Sequence, residues 1–323
     1  MARSVRPPVC PAPDDLRRRQ VVIDLLARCD FPAAGSAVVC GVSGGADSLA
    51  LLILAVAAEL EVTAVHVDHG LRHGSESEAD LVESVSRLVG AGFRSVSVAV
   101  DAGPNLEARA RAVRHAALGS GALLGHTADD QAETILINLA RGAGPEGLAA
   151  MVPGGRHPIL ALRRHETQQL CAELGVEPFD DPSNRDPRFV RNRIRHELLP
   201  LFDEIAGRDL VPLLVRTATH TRALVEGVAA LADEVDVTST AALRSASPVA
   251  ARAALRAWLR TAEGHPPSTA ELERVWDVVE HRVRACELAG GRRVVRSRAR
   301  LALEEPEDVR RDDVPESGDG SVA

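Results

Sequence analysis

The chain has 323 residues, enough for two domains and too many for one compact core. A hydrophobic content of 45 % supports a buried core without disulfides, and an aromatic content of 2 %, with no Tyr, leaves its packing to aliphatic side chains and Ala. All 38 basic residues are Arg and the net charge is −8, which excludes uniform electrostatic attraction to nucleic acid and leaves only local patches for that purpose.

In chain order, the opening MARSVRPPVCPAPDD carries no apolar leader segment. A helix is expected over 14–29, followed by a buried strand over 37–42. A helix over 47–59, a strand over 62–67 and a helix over 76–90 come next. A strand over 94–100, a helix over 105–118, a short strand over 122–124 and a helix over 129–141 complete the alternation. Short Val-rich strands alternating with helices of ten or more residues predict right-handed βαβ crossovers and an α/β, doubly wound parallel sheet of Rossmann type. Residues 142–160 read as a Gly- and Pro-rich loop, 163–174 as a helix and 177–188 as a polar stretch. Residues 189–235 read as helical, linking to a small α+β segment over 236–303. That segment has helices near 248–260 and 268–282 and ends in ELAGGRRVVRSRARLALE, which alternates like a hairpin. Residues 304–323 read as an acidic disordered tail. The domain division expected is 1–200 catalytic, 201–235 helical linker and 236–303 substrate-binding, with the tail beyond.

The longest apolar run, at Leu49–Leu60, is too short to span a bilayer. The five cysteines (Cys10, Cys29, Cys40, Cys171, Cys286) are far apart and show no metal-ligand or redox spacing. The expectation is a cytoplasmic enzyme with no membrane partner, for which a homodimer remains open.

Three segments fall at carboxyl ends of expected strands, where parallel sheets of this kind bind ligands: SGGADS (43–48), HVDHGLR (66–72) and GHTADD (125–130). In the first, a glycine-rich turn into a helix presents free backbone N–H groups and the positive end of a helix dipole, which suit phosphate. Two adjacent glycines exceed what a helix cap requires and permit close approach of a ligand. Asp47 would repel phosphate unless a cation lay between them, which points to Mg²⁺. The chain has no Lys, so this is no GxxxxGK[ST] loop, and it is no GxGxxG turn.

SGGADS resembles the SGGxDS loop of the N-type ATP pyrophosphatases, the PP-loop superfamily. HVDHGLR, the Ala110–Arg114 segment, GHTADDQAETILINLARGAG (125–144) and DPSNRDPRFVRNRIRHELLP (181–200) further resemble the tRNA(Ile)-lysidine synthetases. The resemblance is strong over 36–203 and loose over 240–303. Two positions depart from the family pattern: His115 replaces a usual Tyr, and His157 begins a segment that is usually Arg-Pro-Leu-Leu. No sequence past 303 matches the further carboxyl-terminal domain of longer members.

The resemblance implies ATP-dependent joining of free L-lysine to the wobble cytidine of the isoleucine tRNA with a CAU anticodon. It assigns ATP phosphates to Ser43, Gly44, Gly45, Ala46, Asp47 and Ser48, with Asp47 also the metal ligand. Asp130 and Glu133, three apart on one helical face, would hold the lysine ammonium, and Asp129 beside them is an ordinary helix N-terminal acid. His126 is expected to help position the nucleotide. His66, with Asp68 and His69, would make adenosine-side or loop-shaping contacts, a structural cap by His69 remaining open. Arg111 and Arg114 would meet phosphate or the developing charge on the adenylate, or form a solvated face. Asp47, Asp130 and Arg111 are the expected catalytic residues. Arg191, Asn192 and Arg195 would bind tRNA or ATP, with Asp181, Ser183 and Asn184 orienting their helix. Residues 282–300 hold seven Arg against one Glu, and Arg292, Arg293 and Arg296 are the expected tRNA contacts there. Two alternatives stand beside this reading: a PP-loop tRNA thiolase, disfavoured by the absence of paired cysteines, and a nucleotide-binding module without chemistry.

Overall fold

A computed structural model describes residues 12–68, 75–98, 109, 113, 115–261 and 266–305. It divides into two compact units, residues 1–222 and 223–323.

In the first unit, helices α1 (Pro13–Leu16) and α2 (Gln20–Leu26) replace the single opening helix expected. Strands β1 (Ala37–Gly41), β2 (Glu61–Asp68), β3 (Gly92–Ser97) and β4 (Leu123–Leu124) form one parallel sheet in the order β3-β2-β1-β4. The α/β, Rossmann-like reading holds, and the order puts the topological switch point between β1 and β4. Helix α3 (Ala46–Ala57) follows β1 directly, and Leu49, Leu51, Leu52, Ile53 and Leu54 on it are fully buried. A helix apolar all round must be enclosed, and α3 is packed by α1, α2, β1, β2 and α4 (Ser75–Val89). Burial of each such leucine contributes about 1.5–3 kcal/mol. The helix expected over 105–118 lies outside the described residues except at 109, 113 and 115–118.

Helix α5 (Ala128–Ala140) starts in a capping box built by Thr127 and Asp130. The loop expected over 142–160 contains one short helix, α6 (Pro145–Leu148). Helix α7 (Arg164–Glu173) packs along α3. Beyond a 3₁₀ turn (Pro182–Arg185) the chain runs through α8 (Val190–Arg193), a π-helical turn (Ile194–Leu198) and α9 (Leu199–Ala206). Pro200 has no N–H to donate and its ring crowds the preceding turn, which accounts for the widened π register just before it. Helix α10 (Val211–Asp233) runs through the division between the units, so the boundary at 222 falls inside the stretch read as a linker.

The second unit holds α11 (Thr240–Ser245), α12 (Pro248–Trp258) and α13 (Thr269–Val279), and an antiparallel sheet of β5 (Ala285–Glu287), β6 (Arg293–Ser297) and β7 (Arg300–Glu304). The expected hairpin is β6–β7, and β5 makes it a three-stranded sheet. Leu243, Leu255, Leu259, Val275, Val278 and Val294 form its core. The acidic tail lies outside the described residues from 306 onward. Among the described residues no helix is long and apolar enough to cross a membrane.

Candidate active site

The SGGADS turn leaves β1 and enters α3 at the sheet's switch point. Gly44 adopts φ +78, a conformation that side chains with a Cβ rarely take, and its carbonyl accepts the N–H of Phe179 at 2.9 Å. Gly45 is the N-cap of α3, and a Cβ there would meet, among the described residues, only Ser43 Oγ at 3.8 Å. Among the described residues, the space beside Gly45 is therefore open. Ser48 Oγ donates to the carbonyl of Gly45 at 2.9 Å and accepts the N–H of Ser43 at 3.1 Å, closing the turn on itself. Ala46 is the first residue of α3, and the exposed Ser43 lies on the outer face of the turn.

Gly125 brings the second strand end against this turn. A Cβ at Gly125 would lie 2.7 Å from the Asp47 carbonyl oxygen and 2.9 Å from Ser48 Cα, so only glycine permits this approach of two backbones. The GHTADD segment thereby sets Asp129 and Asp130 beside the SGGADS turn. His126 Nδ1 lies 3.1 Å from His157 Nδ1, and His115 Nδ1 lies 3.0 Å from Arg156 Nη2. The two departures from the family pattern are thus engaged by consecutive structural pairs.

Among the described residues, four carboxylates and four arginines converge here. Asp130 Oδ2 accepts the Thr127 N–H at 2.9 Å and its hydroxyl at 3.0 Å, while Oδ1 receives Arg164 Nη2 at 3.0 Å and lies 3.6 Å from Arg195 Nη2. Glu133, with a fully buried side chain, takes Arg164 Nη1 at 3.0 Å, Arg195 Nε at 2.7 Å and Arg191 Nε at 3.0 Å. Asp47 faces Arg164 Nε at 3.4 Å and accepts the Thr167 hydroxyl. Asp129 takes a two-pronged contact from Arg163, at 3.1 and 3.2 Å, and the Arg164 N–H at 2.8 Å.

The surroundings separate these acids electrostatically. Burial pushes the Asp47 carboxyl up to about 6, with the neighbouring Asp130 adding to the rise and Arg164 opposing it. Burial also works against charge on Asp130 and Asp129. The Arg164 guanidinium nevertheless holds Asp130 below the usual carboxylate range, and hydrogen bonds from Arg163 and the Arg164 N–H do so for Asp129. Burial disfavours the Arg164 charge, but Asp130, Glu133 and Asp47 together hold its pKa above the ordinary arginine value.

Several expected site residues take different places. Asn192 is buried and donates to the carbonyls of Ser183 at 2.7 Å and Asp186 at 2.9 Å; it clamps the 181–186 loop and presents no amide to RNA. Arg191 and Arg195 both turn onto Glu133, so they brace the acid cluster instead of standing free for phosphate. His66 is buried with Nδ1 3.0 Å from the Val42 carbonyl, the loop-shaping alternative. Arg292 is buried and donates to the Leu259 carbonyl at 2.9 Å, which corrects its assignment to an exposed basic patch. Arg293 is exposed, and Arg296 Nη1 donates to the Arg298 carbonyl at 3.0 Å. His69, Arg111 and Arg114 lie outside the described residues. The reading from sequence missed Arg163, Arg164, Thr167 and Gly125. A double Arg at the start of a helix carries no signal by itself, because its partners lie more than thirty positions away in sequence.

The SGGADS turn and the acid cluster meet at the switch point of a 3-2-1-4 sheet, the arrangement of a PP-loop domain. A family model of the PP-loop domain matches residues 19–202, and a model described as the TilS substrate binding domain matches residues 239–302. The tRNA(Ile)-lysidine synthase of Nocardia farcinica is 40 % identical over 261 residues, covering 76 % of this chain and 82 % of that protein. The enzyme of the same name from Rhodococcus erythropolis is 44 % identical over 242 residues, covering 69 % and 73 %. The chain belongs to the tRNA(Ile)-lysidine synthase family. A solved structure of the U34-tRNA thiolase NcsA from Methanococcus maripaludis aligns at 17 % identity over 64 % of this chain and 78 % of that one, with a TM-score of 0.47, an overlap that carries no functional argument.

Proposed function

We infer that this chain joins L-lysine to the wobble cytidine of the isoleucine tRNA with a CAU anticodon, consuming ATP and releasing AMP and pyrophosphate. The lysidine formed changes codon reading from AUG to AUA. The observation that carries the reading is the single hydrogen-bonded network linking the phosphate turn, through Asp47, to the acid pair Asp130 and Glu133. That network would set an ATP site beside a cation-binding site, as ligation of an amine to an adenylated base requires. Absence of paired cysteines disfavours the thiolase reading, and the acid cluster has no use in a module without chemistry.

The residues divide the work as follows. The N–H groups of the turn from Gly44 onward and the N-terminus of α3 receive the ATP phosphates. Among the described residues no group of three or more acidic, His or Cys side chains forms a metal cage. That fits Mg²⁺, which is commonly held by one or two carboxylates and substrate phosphates; Asp47 is the carboxylate placed for it. The bound cation would offset charge on the departing pyrophosphate. The cytosine ring carbonyl oxygen attacks the α-phosphorus, and the lysine ε-amine then displaces AMP from the adenylated carbon. Asp130 holds the ammonium and orients it. The amine must shed a proton before attack, to an acidic neighbour in the cluster. An anticodon loop presents the cytidine at low unstacking cost. The reaction belongs in the cytoplasm, with tRNA delivered by exposed arginines of the 239–302 domain.

Incubation with ATP, labelled lysine and total tRNA tests the reading. Lysine-dependent label in the CAU-anticodon isoleucine tRNA, with AMP released in step, is the expected result. AMP release that needs a sulfur donor, or no AMP release, overturns it.

A further inference from the structure

Arg164 stands where both proposed substrates must act. It projects from the first turn of α7, which packs along α3. Each of its three guanidinium nitrogens is spent on a different carboxylate: Nε on Asp47 at 3.4 Å, Nη1 on Glu133 at 3.0 Å and Nη2 on Asp130 at 3.0 Å. A substrate ammonium needs a carboxylate oxygen that can accept it. Both Glu133 oxygens are also held by Arg195, at 2.7 and 3.1 Å, in a side chain with no exposure. Asp130 Oδ2 is committed to capping α5 through Thr127. Asp130 Oδ1 alone can change partners without opening a helix end or stripping Glu133 of its other arginines, and Arg164 occupies it.

We propose that Arg164 is an internal stand-in for the lysine ammonium, that bound nucleotide draws it off the acid cluster, and that lysine therefore binds after ATP. The proposal rests on the reading of Asp130 as the group that holds lysine. Arg164 keeps the buried Asp130 and Glu133 and the half-buried Asp47 paired, and an unpaired one would be costly. Nucleotide changes both ends of this arrangement. A cation at Asp47 removes the Nε contact, and phosphate oxygens offer a guanidinium fork a better-matched partner. Once Arg164 leaves, Asp130 Oδ1 lacks its charged donor, which a substrate ammonium replaces, while Glu133 Oε1 keeps Arg195 Nε at 2.7 Å. Arg191 and Arg195 stay on Glu133 and keep the cluster in place.

The test is lysine binding to the full chain by calorimetry in Mg²⁺, with and without a non-hydrolysable ATP analogue, for the wild type, Arg164→Gln and Asp130→Asn. The wild type is expected to bind lysine about tenfold or more tighter with the analogue, and the analogue to bind tighter with lysine by the same factor. Arg164→Gln is expected to bind lysine tightly without the analogue, with a coupling factor below about 2. A residue that merely supported the fold would not strengthen lysine binding when removed. Equal lysine affinity of the wild type with and without nucleotide overturns the proposal, and that measurement needs no variant. Wild-type coupling retained in Arg164→Gln also overturns it, as does retention in Arg164→Ala should the Gln form not fold. Asp130→Asn separates the two levels. If it abolishes lysine binding while Arg164→Gln keeps its coupling, the site reading stands and the stand-in role fails. If it leaves lysine affinity unchanged, the site reading itself fails.

Discussion

Asp47, Asp130 and Glu133 are three carboxylates within one network, and their environments give them different tasks. Asp47 lies in the SGGADS turn with a pKa pushed up to about 6 by burial, so a cation near it would favour the ionised form. Asp47→Ala should abolish AMP formation in the presence of tRNA and lysine while leaving the melting profile cooperative; near-normal AMP release from a folded variant removes the metal role. Asp130 has one oxygen that can exchange partners, whereas Glu133 is sealed by three arginines. Asp130→Asn should therefore raise the lysine KM by about tenfold or more, the scale of a lost charge-assisted contact, with little change in the ATP KM. Glu133→Gln should act on stability instead, because it strands buried arginine charge at a cost of about 3–5 kcal/mol. Steady-state kinetics and thermal denaturation separate the two. A Glu133→Gln chain with wild-type stability and a raised lysine KM would reverse the assignment.

At the scale of elements, the site depends on close approach of two strand ends. Gly125 is the residue that allows it, and Gly125→Ala puts a methyl group into the backbone of Asp47 and Ser48. Overpacking of this kind costs about 1–3 kcal/mol, and here the shift falls on the phosphate turn. The expected outcome is weaker ATP binding together with a lower melting temperature; unchanged ATP affinity would show that the turn relaxes without loss. In the second unit, Glu271 joins α13 to the turn after β5. It accepts the Ala289 N–H at 2.7 Å, the Ser268 hydroxyl at 2.7 Å and the Ser268 N–H at 2.8 Å. Those donors, the Ala289 N–H first, lower its pKa from 4.5 to about 2. The folded form thus binds fewer protons than the unfolded form between these values. Its stabilisation is complete above pH 4.5 and drains away as pH falls toward about 2. Glu271→Gln should melt below the wild type at pH 7, and the gap should close on acidification. A gap that stays constant with pH would take the charge out of the account.

Across the whole molecule, a net charge of −8 coexists with a basic stretch in the second unit, so tRNA must be met by a patch. Arg284, Arg293 and Arg298 are exposed there. Their joint change to Ser should weaken tRNA binding and make the log–log salt dependence shallower by about 0.7–0.9 per lost phosphate contact, with ATP binding untouched. An unchanged slope would place the tRNA contacts elsewhere. Arg292→Ser should do something different: with its Leu259 contact gone, it should lower stability before it affects RNA.

What the sequence determined by itself was largely local or periodic. Strand–helix alternation and the SGGADS motif specify a parallel sheet with a glycine turn at a strand end, because backbone conformation and amphipathic period are encoded within a few residues. The RNxxR spacing and the paired acids at 130 and 133 were legible for the same reason. Partner choice was decided only by tertiary structure. Arg164 reaches Asp47, 117 positions away, and Arg195 reaches Glu133, 62 positions away, because α7 and the π turn are packed against α3 and α5. Burial likewise turned Arg292 from an expected RNA contact into a buried donor, and Asn192 into a loop clamp. A side chain's charge and length are written in the sequence. Which groups it faces, and whether water reaches them, depends on distances that exist only once the elements have packed.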